Sequence, residues 1–240
     1  MRRLILLLSL SLSATALADD TAVSLAKQLK VSPKDVAPAE VAGLYRVTLG
    51  PQILYVTGDG KYVLRGDLIR LSDGADLSAD ARDAARAAYI AGIGEQNMII
   101  FGPPHPRHVV TVLTDIDCAY CRQLADEMPK LVQAGVEVRY LAFPRTGVDS
   151  PSWDKAISVW CARDPRIAYQ LAMKGGAVTA PGPKCDARPV IAGYEFARKL
   201  GLDGTPVLFT EDGHLIDGYV PADQLVKILD RPDLLAAASD

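Results

Sequence analysis

The stretch that most narrows what this chain can become is "HVVTVLTDIDCAYCRQL", residues 108–124. Its first part, "HVVTVLT", is an apolar, β-branched run suited to a strand buried on both faces. Its last part leads into "RQLADEMPKLVQAG", where Leu124, Met128, Leu131 and Val132 recur at helical spacing and Gly135 can end the helix. Pro129 lies inside that pattern and is expected to kink it. Between strand and helix sit Cys118 and Cys121, three positions apart.

A pair so close makes a poor staple. A disulfide stabilises mainly by restricting the unfolded chain, and the effect grows with loop length. A tetrahedral metal site usually needs two such pairs. The other cysteines, Cys161 and Cys185, are widely separated, and His105, His108 and His214 show no ligand spacing, so no metal is expected. Redox chemistry fits better. Residues i and i+3 share a helix face, so the two sulfurs can meet. The first sits at the helix N-terminus, where unpaired amides and the dipole favour a thiolate. Cys118, at the exposed end, is expected to attack a substrate disulfide. Cys121, one turn in, is expected to be shielded and to resolve the mixed disulfide.

The N-terminus, "MRRLILLLSLSLSATALADD", places two arginines, a short leucine-rich core and Ala16-Leu17-Ala18 in the order of a cleaved secretory signal. The apolar run is shorter than the about 20 residues that span a bilayer. Export permits disulfides, and all four cysteines lie after residue 18. Cys161 and Cys185, closing a loop of about 25 residues, read as a structural disulfide contributing about 3–4 kcal/mol; the alternative is two buried free thiols. Removing residues 1–18 leaves 24 basic against 29 acidic residues, a net charge of −5. With no basic block, nucleic acid is not an expected partner.

Four segments follow from these patterns: a signal peptide (1–18), a small N-terminal domain (19–77), a linker helix (78–96) and a catalytic domain (97–240). The first domain carries a short helix around Ala22–Leu29. Then come the runs "GLYRVTLG", "QILYVT", "KYVLRG" and "DLIRLS", read as an antiparallel meander, with Gly58-Asp59-Gly60 as a hairpin turn. Fewer than 60 residues make a thin core, so this unit is expected to need a partner surface. The alanine-rich "SADARDAARAAYIAGI", capped by Ser78 or Asp80, reads as a connecting helix or as an ordinary surface helix of one domain. In the rest, "MIIFG", "HVVTVLT", "VEVRYLAF", "TPVLFT" and "HLIDGY" read as strands. Residues 151–200 read as mostly helical, Asp212-Gly213 as a hairpin turn and "ADQLVKIL" as the final helix. That order matches an α/β, thioredoxin-like fold with a helical insertion. Pro206 opens a strand, where base rates favour a trans bond.

The segments "HVVTVLTDIDCAYCRQL", "VRYLAFPRTGVDS", "VWCARD" and "GLDGTPVLF", with "VAGLYRVTL" and "ILYVTGDGKYVLRG" before them, resemble the DsbC/DsbG family of bacterial periplasmic disulfide isomerases. The resemblance extends through the chain beyond residue 18. It implies a homodimer whose small α+β N-terminal domains pair through strand edges, with linker helices as arms and two thioredoxin-like domains facing an apolar cleft. It implies that Cys118 is the nucleophile, Cys121 the resolving thiol, and Thr205-Pro206 a cis-proline loop that contacts substrate backbone. Cys161 and Cys185 match the family's structural disulfide. No cofactor is implied. The implied partners are misoxidised exported proteins and a membrane thiol reductase of the DsbD type. Two positions depart from the pattern. Ala119 stands where glycine is usual, and Asp117 puts a carboxylate before Cys118, which is expected to oppose thiolate formation. The expected function is periplasmic disulfide isomerase or reductase with chaperone activity. The alternatives are a dithiol oxidase, a DsbG-like reductase, and a holdase without redox chemistry.

Overall fold

The computed structural model describes residues 15–179, 182 and 185–231. The signal reading of residues 1–18 therefore lies almost wholly outside the described residues. The chain divides into two compact units, one of Met1–Leu49 with Ile53–Leu68 and one of Gly50–Gln52 with Ile69–Asp240.

In the first unit, helix α1 (Thr15–Leu29) precedes four short strands: β1 (Val36–Pro38), β2 (Leu44–Leu49), β3 (Gln52–Thr57) and β4 (Val63–Leu64). They form one sheet in the order β1-β2-β3-β4, which contains three of the four expected runs and adds β1, a strand the sequence reading did not assign. Its last hairpin closes where the Asp-Gly signal lies: Thr57 N donates to Tyr62 O at 3.1 Å, and Asp59 Oδ1 accepts from Thr57 Oγ1 and the Lys61 amide. The core is small. Ala22, Leu25 and Ala26 of α1 meet Val36, Val47 and Val56 of the sheet. At the β4 edge Tyr62, Val63 and Leu64 stay exposed.

"DLIRLS" does not join that meander. Among the described residues, β5 (Ile69–Arg70) pairs with β6 (Ala75–Asp76) alone, in a two-stranded ribbon that belongs with the second unit. Helix α2 (Ala79–Ile93) follows, N-capped by Ser78, and it too packs on the second unit. Ile90 and Ile93 enter a cluster with Phe143, Phe196 and Phe209, and Tyr89 stacks on Phe196 at 5.3 Å. The expected linker thus has a firm apolar footing on the catalytic unit.

That unit is built on a five-stranded sheet. β7 (Ile99–Phe101), β8 (His108–Thr114), β9 (Val136–Ala142), β10 (Val207–Thr210) and β11 (Leu215–Asp217) lie in the order β11-β10-β8-β9-β7. β8 and β9 pair in parallel, and the other pairings are antiparallel. The central β8 is buried from Val110 to Thr114, as its apolar run requires. Burying each Val or Leu side chain contributes about 1.5–3 kcal/mol. Between β8 and β9 runs α3 (Ala119–Gln133), with Leu124, Met128 and Leu131 buried. It continues through Pro129 to Gln133 as one helix.

The insertion holds α4 (Pro151–Trp160), α5 (Pro165–Met173) and α6 (Arg188–Leu200). Each begins with proline at its first or second position, where a missing amide costs nothing. Ser150 caps α4 and Asp164 caps α5 through side-chain oxygens, while Gly201, left-handed at φ 74°, ends α6. Cys161 and Cys185 form a disulfide across the insertion, with Cα atoms 5.5 Å apart. α7 (Ala222–Asp230) closes the chain against α3. Among the described residues no helix is long and apolar enough to cross a membrane.

Candidate active site

The cysteine pair stands where β8 hands over to α3. Cys118 is the N-cap residue, with extended backbone, and its amide donates to Asp115 O at 3.1 Å. Cys121 lies one turn into the helix. The two sulfurs are not joined in a disulfide in this structure. When protonated, Cys118 Sγ donates to Thr205 O at 3.2 Å, and Cys121 Sγ accepts from the Asp115 amide at 3.5 Å. The Thr205–Pro206 bond is cis, as the family resemblance implied and base rates did not.

The expectation of an exposed Cys118 needs correction. Cys118 is 4% exposed and Cys121 1%, so both count as buried. The Thr205 carbonyl, from a loop 87 positions away, meets the outer sulfur. The difference between the thiols is one of environment. Cys118 is pulled down to about 5, first by its hydrogen bond with Cys121 and against the opposing effect of burial. The Thr205 side chain, the Cys121 amide and the Arg145 charge add to the lowering. Cys121 is pushed far up, first by burial and then by giving its proton to the shared bond. The outer sulfur is thus the one favoured as a thiolate, and the deeper one keeps its proton.

Asp117 does less harm than its position suggests. Its carboxylate pairs with Lys155 Nζ at 2.6 Å and Arg122 Nη2 at 3.6 Å, so two cations offset it. The buried carboxylate is Asp115, which sequence reasoning passed over. It accepts from Ser152 Oγ and from Arg145, thirty residues or more along the chain. Both aspartates stand in "TDIDC", and nothing local tells which one turns inward. Two further neighbours went unread. Tyr120, 61% exposed between the cysteines, stacks on Tyr219 at 6.2 Å and offers an aromatic face beside the sulfurs. The Thr205 hydroxyl is buried beside the two sulfurs. Among the described residues no three His, Cys, Asp or Glu side chains gather as metal ligands.

A cysteine pair at a helix N-terminus, faced by a cis-proline loop on a thioredoxin-like sheet, defines a dithiol–disulfide oxidoreductase. The comparisons with known proteins carry the identification further. A family profile described as "Thioredoxin-like domain" matches residues 95–231, and one described as "Disulfide bond isomerase protein N-terminal domain" matches residues 13–79. The thiol:disulfide interchange protein DsbC of Escherichia coli K12 is 35% identical over 221 residues, 91% of this chain and 91% of that one. DsbC of Salmonella typhimurium is 34% identical over 227 residues, 94% of this chain and 93% of that one. Among solved structures, a linker-deletion mutant of Proteus mirabilis ScsC shares the fold: TM-score 0.52, 21% identity, 67% of this chain and 85% of that one. The chain belongs to the DsbC family of thiol:disulfide interchange proteins.

Proposed function

We propose that the chain is a periplasmic disulfide isomerase that works as a homodimer. The Cys118 thiolate attacks one sulfur of a non-native disulfide. A mixed disulfide forms, and the substrate's other sulfur leaves as a thiolate. A different substrate cysteine then attacks the mixed disulfide, releasing Cys118 and leaving a rearranged bond with no net oxidation. If none arrives, Cys121 attacks Cys118 instead. The substrate leaves reduced by two electrons, and the enzyme is left with a Cys118–Cys121 disulfide. A dithiol reductase must then return those two electrons, which is the role given to a membrane partner of the DsbD type.

The observation that carries this reading is the unequal pair: a depressed thiol at Cys118 beside a strongly raised one at Cys121. A thiolate available near neutral pH attacks, while the protonated partner is held back as the resolving thiol. Thr205 and Pro206 are assigned to the substrate backbone; the Thr205 carbonyl, which accepts from the protonated Cys118, is released when that thiol ionises. Cys161–Cys185 is assigned a structural role. The secretory pattern of residues 1–18 and the presence of that disulfide support the periplasm. The exposed β4 edge and the isomerase-type N-terminal domain support pairing of two copies. Chaperone activity is assigned to the same dimer as an accompaniment.

One observation favours a second reading. A strongly stabilised thiolate makes the reduced form the more stable one, which is the property of a dithiol oxidase. Acid trapping of the protein in living cells separates the two. Cys118 found mostly reduced supports the isomerase, and Cys118 found mostly in a disulfide with Cys121 supports the oxidase.

A further inference from the structure

Between α4, the residues after α5 and the loop before Cys118 lies a cleft of about 400 Å³. Its size falls within the about 300–1,000 Å³ of sites that hold small ligands. The inner wall is apolar: Ile116 from the loop, Val159 from α4, Ala172 from α5 and Val178 beyond it. Gly175 and Gly176 leave the outer wall without side chains. At the rim the ionic groups already pair with one another, Asp117 with Lys155 Nζ at 2.6 Å and with Arg122 Nη2 at 3.6 Å. Asp154 adds one carboxylate at the exposed edge. With both cations committed, the cleft selects by its apolar wall rather than by attracting an anion. Its far side is built by the helical insertion, whose disulfide ties Cys161, the C-cap of α4, to Cys185.

The cleft is continuous with the cysteine pair. Ile116 and Asp117 stand just before Cys118 in the chain. Consecutive Cα atoms lie about 3.8 Å apart, so the inner wall begins within about 8 Å of the Cys118 Cα. Ile116 also shares one buried cluster with Cys118, Val159 and Ala172. A polypeptide joined to Cys118 therefore passes the mouth of the cleft. An extended chain advances about 3.3 Å per residue and alternates its faces. The residue two positions from the attacked cysteine thus lies about 7 Å along, on the cysteine's own face. We propose that this cleft is a substrate subsite: it takes the apolar side chain two positions from the attacked cysteine, so that Cys118 favours disulfides flanked by aliphatic residues. The inference deepens the thiol–disulfide reading and rests on Cys118 being the attacking thiol. Aliphatic flanks of that kind are exposed in a chain that has not yet buried its core.

The test uses the full-length Cys121→Ser protein, which keeps the mixed disulfide it forms. Two peptides are supplied as symmetric disulfides: Ser-Leu-Ser-Cys-Ser-Leu-Ser, and the same chain with serine for both leucines. Cys118 attacks, one peptide stays joined to it and the other leaves as a thiolate, with no net oxidation. Mass spectrometry follows the two rates. Their ratio on one protein cancels any change in Cys118 ionisation. The leucine peptide is expected to react about tenfold faster. Moving its leucines next to the cysteine, onto the opposite face, is expected to remove most of that preference. Ser158→Phe fills the cleft from α4 and Ala177→Phe fills it from the other wall. Each is expected to lower the ratio to about twofold or less, with circular dichroism confirming the fold. A leucine peptide no faster than the serine peptide overturns the proposal, as does a ratio kept in full by a folded variant of each kind. If one variant fails to fold, the other decides. If neither folds, the peptide with shifted leucines decides, and an undiminished preference overturns it. Equal rates with both peptides leave the thiol chemistry standing and remove only the subsite. No mixed disulfide with either peptide overturns the thiol–disulfide reading, and the subsite with it.

Discussion

At the scale of single residues, Cys118 and Cys121 share a hydrogen bond whose proton belongs to one of them. Burial of Cys121 settles the division, since an anion at the deeper sulfur would lose more solvation. The consequence extends beyond reactivity. Folded Cys118 is deprotonated above about 5, whereas a cysteine in the unfolded chain keeps its proton up to about 8.5. Across that window the unfolded state binds more protons, so the reduced form gains stability as pH rises and loses it as pH falls through the lower value. The raised Cys121 opposes this only above the unfolded thiol pKa. Urea midpoints of the reduced protein and of Cys118→Ser, compared at about pH 5 and about pH 8, should therefore diverge toward the higher pH. A gap that stays constant contradicts the assignment of the thiolate to Cys118.

At the scale of elements, the parts that position the site are those whose patterns are strongest. The apolar run of β8, the helical spacing of Leu124, Met128 and Leu131, and the Asp212-Gly213 turn each specify their element from local sequence. What stayed hidden depends on partners distant in the chain. Asp115 and Asp117 look alike until Ser152 and Arg145 fold back onto one of them. Cys118 looks exposed until the loop at Thr205 meets it. "DLIRLS" looks like one more strand of the meander, but its Ile69 and Arg70 pair with the two-residue β6 instead. Helix α2 shows the same limit. Its alanines give propensity but little apolar bulk, so its docking is carried by a few contacts. Arg86 Nε donates to Gly213 O at 2.7 Å, and Asp83 pairs with Arg86 and, at 3.2 Å, with His214 Nδ1. Gly213 has φ 89°, and a Cβ there would come within 2.0 Å of Asp83 O. Gly213→Ala is thus expected to lower stability by about 3 kcal/mol or more, read from chemical unfolding. Gly175, at φ 80° with open space around it, supplies the control. Its alanine variant should cost only the backbone penalty of about 1–2 kcal/mol. Equal costs would mean that α2 is not seated against the β10–β11 turn.

At the scale of the whole molecule, the two units face different problems. The catalytic unit has clusters of fully buried aromatic and aliphatic side chains on both faces of its sheet. Among the described residues, the N-terminal unit has seven buried apolar side chains, and an apolar strand edge in Tyr62, Val63 and Leu64. An open edge of that kind invites pairing with a second chain. Sedimentation of the protein lacking residues 1–18 should give a dimer at micromolar concentration, and Val63→Lys with Leu64→Lys should shift it toward monomer. A monomeric parent protein would remove the basis for two active sites acting together. The central claim, rearrangement of disulfides through Cys118, is tested most directly by refolding a scrambled multi-disulfide substrate with three full-length proteins. The unmodified protein should restore native pairing, Cys118→Ser should give no more than the uncatalysed rate, and Cys121→Ser should accumulate mixed disulfides with the substrate. Native pairing restored by Cys118→Ser as fast as by the unmodified protein would contradict the account.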